Sequence, residues 1–263
     1  MKEQASGLYA KRLSELGFVT LAFDAAYQGE SEGQPRGLED PSHRVEDIKA
    51  AVSFLSVQDN VDPNQIGALG VCASGGYSIS AAATDHRIRA VAGVSPVDIG
   101  RQFRNGANGT QAPATVQNML ASAAAARTAE ARGEGVGMFP LFPANEEQAR
   151  AGGAHVFEGW EYYCTDRAQH PRSAKALTWT SIDRMAGFDA FRFVDLIAPR
   201  PLLVIVGSEA VTSWMAKEAF IAAQKPKEFF WVQGAMHNDL YDRDEYVTPA
   251  IAKLSAFFGA NLK

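Results

Sequence analysis

Hydrophobic positions along the chain follow two periodicities, one typical of amphipathic helices and the other of buried strands. Leu8 and Leu13 lie at near-helical spacing before Gly17, which predicts a first helix. Residues 18–24 (FVTLAFD) then form an apolar run that predicts a buried strand ending on an aspartate. After a loop rich in Gly, Pro and acidic residues, a helical pattern over 45–55 follows. The chain therefore opens with a helix, a strand and a second helix.

Four further apolar runs predict strands, and helical patterns separate them. The runs are 66–71 (IGALGV), 88–96 (IRAVAGVSP), 200–208 (RPLLVIVGS) and 227–234 (KEFFWVQG). An amphipathic helix over 248–262 closes the chain. Repeated strand and helix units favour an α/β fold with three αβα layers, in which helices cover both faces of a mainly parallel sheet.

A long segment interrupts this alternation. Roughly a hundred residues separate the strands at 88–96 and 200–208, far more than a strand-to-helix connection needs. We predict an α/β core made of 1–100 and 176–263, with 101–175 inserted as a helical lid. The insertion carries an Ala-rich helix around 115–131 and several aromatic residues, which either pack against the core or line a substrate pocket. The aromatic residues are Phe157, Trp160, Tyr162, Tyr163 and, just beyond, Trp179.

Composition narrows the class of function. Hydrophobic residues make up 46% and charged residues 21% of the chain, as in ordinary soluble globular proteins. The net charge of −5, without a basic block, argues against nucleic acid or an anionic membrane as partner and favours a small-molecule substrate. We predict a cytoplasmic location from the two cysteines and from an N-terminal region without a secretory pattern. No apolar run is long enough to cross a bilayer.

The stretch ALGVCASGG, at 68–76, contains two candidate nucleophiles, Cys72 and Ser74. A sharp turn from a strand into a helix raises one side chain at the carboxyl end of the sheet, and it needs small residues two positions before and after. Gly70 and Ser74 satisfy that spacing around Cys72, whereas a turn at Ser74 would need a longer strand and a cysteine in place of glycine. We therefore expect Cys72 to be the raised residue.

A cysteine at a helix N-terminus is a stronger nucleophile, because the local positive potential stabilises its thiolate. The alternative is that Cys72 is a small buried hydrophobe. His237 is the candidate base, because its loop follows a predicted strand and therefore emerges at the same edge of the sheet. The other histidines, His43, His86, His155 and His170, are expected on loops or on the surface.

These motifs together resemble the α/β-hydrolase superfamily, and within it the dienelactone-hydrolase-like branch with a cysteine nucleophile. The likeness rests on FVTLAFDAAYQGES, GVCASGG, RPLLVIVGSEA and GAMHNDLYD, and covers most of the chain outside the insertion. It implies that Cys72 is the nucleophile, His237 the general base and the Ala73 backbone N–H an oxyanion donor. The third triad member is expected in the loop after the predicted strand at 200–208, where Glu209 is the carboxylate within reach. Asp239 and Asp242 are its rivals.

The resemblance also implies leading strands that this sequence does not contain. One of them would lie between 18–24 and 66–71, and its loop would supply the second oxyanion donor. Without it, we expect either that those two strands pair with each other or that backbone is left unpaired. A homodimer that covers such backbone is one expectation.

The resulting hypothesis is a hydrolase that cleaves an ester, lactone or thioester through an acyl-enzyme on Cys72. We expect no cofactor and no metal, and we expect the substrate to contact Tyr27, Trp160 and Tyr163. One alternative is an acyltransferase of the same fold. The other is a catalytically weakened protein that binds a ligand or a partner.

Overall fold

The computed structural model describes residues 1–173 and 175–263, and a four-stranded parallel sheet lies at its centre. The strands in chain order are β1 (Ile66–Val71), β2 (Ile88–Val94), β3 (Met138–Pro140), β4 (Ala176–Thr178), β5 (Leu202–Gly207) and β6 (Lys227–Val232). The central sheet has the order β1-β2-β5-β6, while β3 and β4 form a separate antiparallel pair. The carboxyl ends of the four parallel strands therefore meet at one edge, as ligand sites of such sheets require.

Helices fill the connections between the strands. They are α1 (Ala5–Ser14), α2 (Pro41–Leu55), α3 (Ala73–Thr84), α4 (Ile99–Asn105), α5 (Pro113–Ala131), α6 (Glu146–Ala151), α7 (Ala154–Cys164), α8 (Ser181–Ala186), α9 (Ser213–Ala222), α10 (Asp239–Asp242) and α11 (Asp244–Asn261), with a 3₁₀ turn at Val194–Ile197. Among the residues described, none of these helices combines the length and the hydropathy that a membrane span needs.

The sheet is buried on both faces, because neighbouring residues of a strand point to opposite sides. Val204 of β5 packs with α2, α3 and α9, and Leu203 beside it packs with α1 and α11. Both side chains are fully buried. The three αβα layers and the mainly parallel sheet expected from the sequence are confirmed.

The prediction of a strand at 18–24 is wrong. The segment belongs to no strand, and none of the backbone N–H groups of residues 19–25 donates to a backbone oxygen within the described parts of the chain. A strand exists only where a neighbour supplies hydrogen bonds. Residues 20–25 and Leu69 of β1 line the same cavity, and the segment pairs with no strand of the sheet. Of the two outcomes expected, unpaired backbone is the one found.

The segment between β2 and β5 carries most of the expected lid. Its Ala-rich helix is present as α5, and α6 and α7 follow it. The expected boundary at 100/101 falls within α4, and the β3–β4 pair joins residues on both sides of the boundary at 175/176. The division into core and lid stays a prediction.

Candidate active site

Cys72 occupies the sharp turn between β1 and α3. Its backbone has φ 59° and ψ −128°, a strained conformation for a residue with a side chain. Three backbone hydrogen bonds hold it there: the Cys72 N–H donates to the Val94 carbonyl (3.0 Å), and the Cys72 carbonyl accepts from Gly75 (2.9 Å) and Val97 (3.1 Å). Ser74 lies inside α3. The turn therefore raises Cys72, as expected, and not Ser74.

Glycine is needed two residues before the turn. A Cβ at Gly70 would lie 2.0 Å from the Ser74 carbonyl oxygen, which is backbone and has little room to move. A Cβ at Gly76 would lie 2.2 Å from the carbonyl oxygen of Val97. These approaches explain why the sequence has small residues on both sides of the cysteine.

The thiol of Cys72 faces a cavity of about 670 Å³. Burial raises the pKa of the Cys72 thiol, whereas hydrogen bonding by the Tyr241 hydroxyl and by the Ala73 N–H acts to lower it. Ala73 also lies on the cavity wall. The thiol is therefore neutral at rest, and donors are in place for the thiolate once it forms.

His237 lies on the loop after β6 and is also on the cavity wall, with 2% of its surface exposed. Its Nδ1 is 2.6 Å from the Thr212 Oγ1, and its Nε2 is 2.9 Å from the Tyr241 hydroxyl. Burial lowers the pKa of His237 to about 3, and the neighbouring His155 adds to the effect. The imidazole is therefore neutral and can accept a proton through Nε2 when Nδ1–H donates to Thr212.

The histidine loop is fixed against the end of β5. A Cβ at Gly207 would lie 2.1 Å from the Ala235 carbonyl oxygen, so only glycine permits this close approach. The same carbonyl accepts from the Glu209 N–H at 3.0 Å. The Ser95 hydroxyl, at the end of β2, donates to the His237 carbonyl at 3.3 Å. Contacts from two strand ends thus position the imidazole.

None of the three carboxylates considered as triad members hydrogen-bonds to the imidazole in the described structure. Glu209 is exposed and accepts from the Ser208 hydroxyl at 3.2 Å. Asp239 accepts from the Met236 N–H at 2.9 Å, and Asp242 is held by an arginine. Thr212, only three residues beyond Glu209, is buried and occupies the position beside Nδ1. The loop turns the Glu209 side chain outward before Thr212 turns inward.

Helix α7, in the segment between β2 and β5, brings a second histidine to the site. The His155 Nδ1 is 2.7 Å from the Glu158 Oε1, and the other Glu158 oxygen accepts from the Asn238 N–H at 2.9 Å. The His155 and His237 rings meet edge to face with centroids 5.4 Å apart. His155 was expected on a loop or at the surface, but α7 carries it to the cavity wall.

Of the three residues expected to contact substrate, the structure brings Tyr163 to the cavity wall. Its ring stacks on Phe142 with centroids 5.1 Å apart. Tyr27 packs against His43 instead, and Trp160 stacks on Phe157. Neither Tyr27 nor Trp160 is among the cavity-lining residues.

Apolar side chains form much of the remaining wall of the cavity, and one group of them comes from the segment between β2 and β5. They are Ile99, Phe103, Phe139, Leu141, Leu177 and Met185. An apolar ligand would lose contact with water on entering, which is the main source of binding free energy in such pockets.

An acidic group at the N-terminal end of the chain has the spacing of a metal site. Glu3, Asp24 and Glu30 each place one oxygen within 4.8 Å of the others. The Lys2 Nζ lies 3.0 Å from Glu3, 3.0 Å from Asp24 and 2.5 Å from Glu30. The lysine therefore already supplies the positive charge that a cation would bring.

Sequence reasoning did not assign four residues to this site: Tyr241, His155, Glu158 and Thr212. Tyr241 lies four positions after His237, and Glu158 lies three after His155, spacings that bring side chains together on a helix. These spacings were available signals. Nothing local marks Thr212, because its role depends on which way a loop turns.

The elbow, the histidine loop and the parallel sheet with helices on both faces are those of the α/β-hydrolase fold, which this chain adopts. No family model matches it. The chain belongs to the same family as the uncharacterized protein YcjY of Escherichia coli K12, to which it is 39% identical over 263 residues, 100% of this chain and 85% of YcjY.

Solved structures agree with this assignment. The crystal structure of hypothetical protein PA2218 from Pseudomonas aeruginosa superposes with a TM-score of 0.91 at 34% identity, covering 100% of this chain and 81% of that one. The α/β hydrolase GrgF from Penicillium sp. sh18 has a TM-score of 0.78 at 21% identity, with 97% and 84% covered. Acyltransferase drtE of Aspergillus calidoustus is 24% identical over 265 residues, 98% of this chain and 82% of drtE.

Proposed function

We propose that this protein is a hydrolase of the acyl-transfer type, which attacks an ester or thioester carbonyl through Cys72 and forms an acyl-enzyme. One observation carries the proposal: Cys72 stands at a strained strand-to-helix turn and lines the same cavity as His237 and Tyr241, whose hydroxyl lies 2.9 Å from His237 Nε2. A structural cysteine needs neither the strained backbone nor the histidine.

The proton of the thiol reaches His237 through Tyr241. In the proposed resting state, the thiol donates to the Tyr241 oxygen, and the Tyr241 hydroxyl, 2.9 Å from His237 Nε2, donates to that nitrogen. When sulfur attacks the carbonyl carbon, its proton passes to the tyrosine oxygen and the tyrosine proton passes to Nε2. The opposite pKa shifts of Cys72 and His237 support this order, because both groups stay neutral until substrate is present. Thr212 holds the imidazole in the orientation that exposes Nε2 to Tyr241.

The oxyanion that forms on attack receives the N–H of Ala73, the first residue of α3. A helix N-terminus carries free N–H groups and a positive potential, and both stabilise a developing negative charge. The apolar wall favours an apolar acyl group, and Tyr163, which lines the same cavity as Cys72, is expected to contact it.

Transfer of the acyl group to an acceptor other than water is the second candidate. It is supported by the likeness to drtE, described as an acyltransferase, and by a cavity that is largely apolar and so disfavours ordered water. The two candidates share every step up to the acyl-enzyme and differ in what attacks it.

A stopped assay with p-nitrophenyl hexanoate tests the shared step. We expect a burst of one nitrophenolate per chain and a hexanoyl adduct on the peptide that contains Cys72, detected by mass spectrometry. Cys72→Ala should abolish both, while Cys164→Ala, which removes the other cysteine, should leave both intact. An unmodified Cys72, or a burst that survives Cys72→Ala, would show that the protein is a binder or uses another nucleophile.

A further inference from the structure

We propose that His155, oriented by Glu158, is a second acid–base catalyst of this site, which protonates the leaving group and later activates the acyl acceptor. The inference rests on the proposed function, because it assigns a role within the same acyl-transfer reaction. It divides proton transfer between two histidines, one on the core and one on the lid.

Geometry sets His155 apart from an ordinary surface histidine. Its Nδ1 is fixed by a carboxylate that is 3% exposed, at 2.7 Å. That carboxylate is itself anchored by the Asn238 N–H, directly beside His237. The arrangement is that of a base oriented by an acid, which is the relation expected between a catalytic histidine and its carboxylate partner. Among the described residues, no carboxylate contacts the His237 imidazole, and Thr212 lies beside its Nδ1 instead.

The other ring nitrogen of His155 is free for chemistry. His155 Nε2 makes no hydrogen bond within the described residues, and it is not among the fully buried atoms without a partner. The ring lies on the wall of the cavity that Cys72 also lines. His237 Nε2, in contrast, is already committed to Tyr241. A leaving group in the cavity therefore meets His155 as an unoccupied proton donor.

The proton balance closes over the cycle. In acylation, the sulfur–carbon bond forms and the carbon–leaving-group bond breaks, while the thiol proton moves through Tyr241 to His237 and the His155 imidazolium protonates the leaving group. In deacylation, neutral His155 takes the proton of water or of another acceptor, the new bond to the acyl carbon forms, and the departing thiolate recovers its proton from His237.

The proximity of the two rings favours this alternation. The two ring centroids are 5.4 Å apart, so protonation of both imidazoles at once is unfavourable because their positive charges repel. In the cycle, His237 gains a proton as His155 loses one. The pair therefore carries one positive charge throughout, and Glu158 balances it when it lies on His155.

Leaving-group dependence tests the role of His155. We expect His155→Gln to lower kcat/KM about a hundredfold for ethyl hexanoate, whose alkoxide leaving group needs a proton, and less than about threefold for p-nitrophenyl hexanoate, whose leaving group does not. Glu158→Gln should show the same pattern to a smaller extent. His86→Gln, at an exposed site away from the cavity, is the matched control and should change neither substrate.

Two further measurements separate this role from loss of folding. Added imidazole should restore activity of His155→Ala on ethyl hexanoate but should not change its activity on the nitrophenyl ester, and urea unfolding should report the stability of each variant. Equal losses on both substrates, or no rescue, would overturn the role of His155 and leave the acyl-enzyme on Cys72 intact. A missing nitrophenyl burst in the unmodified protein would instead refute the proposed function itself.

Discussion

Protonation of His237 should make the stability of this protein fall in mild acid. The imidazole is buried, and its pKa is lowered from 6.5 to about 3 by burial first and by His155 second. The unfolded chain therefore binds a proton below pH 6.5 that the folded chain does not bind until about pH 3. The contribution of the neutral His237 imidazole to the free energy of unfolding is fully present above pH 6.5. It is lost progressively as pH falls towards 3.

The magnitude follows from the two pKa values. At pH 5, the unfolded state gains about 2 kcal/mol relative to the folded state from this group alone, since each pH unit below the unfolded pKa is worth about 1.4 kcal/mol. Other groups titrate over the same range, so a comparison of variants is needed to isolate the histidine.

Urea unfolding at pH 7.5 and at pH 5 provides the assay. His237→Gln should lose about 2 kcal/mol less than the unmodified protein between the two conditions, whatever its absolute stability. His86→Gln, which removes an exposed imidazole, should lose as much as the unmodified protein. If His237→Gln and the unmodified protein lose the same free energy, the imidazole is not held neutral by burial and the reasoning fails.

Three further predictions concern the turn and the imidazole. Gly70→Ala should lower the free energy of unfolding by about 2–3 kcal/mol, because the added Cβ would lie 2.0 Å from a carbonyl oxygen. Gly259→Ala, at a position with open space around it, should leave the free energy of unfolding unchanged. Equal urea midpoints for the two variants would contradict this prediction. Tyr241→Phe should slow the nitrophenyl burst about a hundredfold by interrupting the proton path, and an unchanged burst rate would mean that Cys72 reaches His237 directly. Thr212→Val should lower turnover about tenfold or more by leaving His237 Nδ1 unpaired, while Glu209→Gln should have almost no effect; the opposite ranking in steady-state kinetics would make Glu209 the orienting group.

The expected strands at 66–71, 88–96, 200–208 and 227–234 were confirmed, and 18–24 was not. All five segments have the same apolar character. Four of them find a neighbour in the sheet, while the fifth faces a cavity. Apolar periodicity indicates that a segment can be buried, but strand pairing depends on what lies beside it, which no local pattern contains.

The residues of the candidate site also fall into two groups, those that the local sequence predicts and those that only the tertiary structure brings together. The sequence by itself determined the turn at Cys72, because the spacing of small residues around it reflects close backbone approaches that only such residues permit. It also indicated His237, through its position after a strand. These features depend on residues a few positions apart, so short-range sterics and hydrophobic periodicity are enough to reveal them.

Only the tertiary structure decided which groups meet the imidazole. Thr212 reaches Nδ1 because the loop after β5 turns Glu209 to solvent and Thr212 inward. His155 and Glu158 reach the site because α7 packs against the histidine loop, far away along the sequence. Such contacts depend on the direction of loops and on the packing of elements distant in sequence. They are therefore determined by the whole fold and not by neighbouring residues.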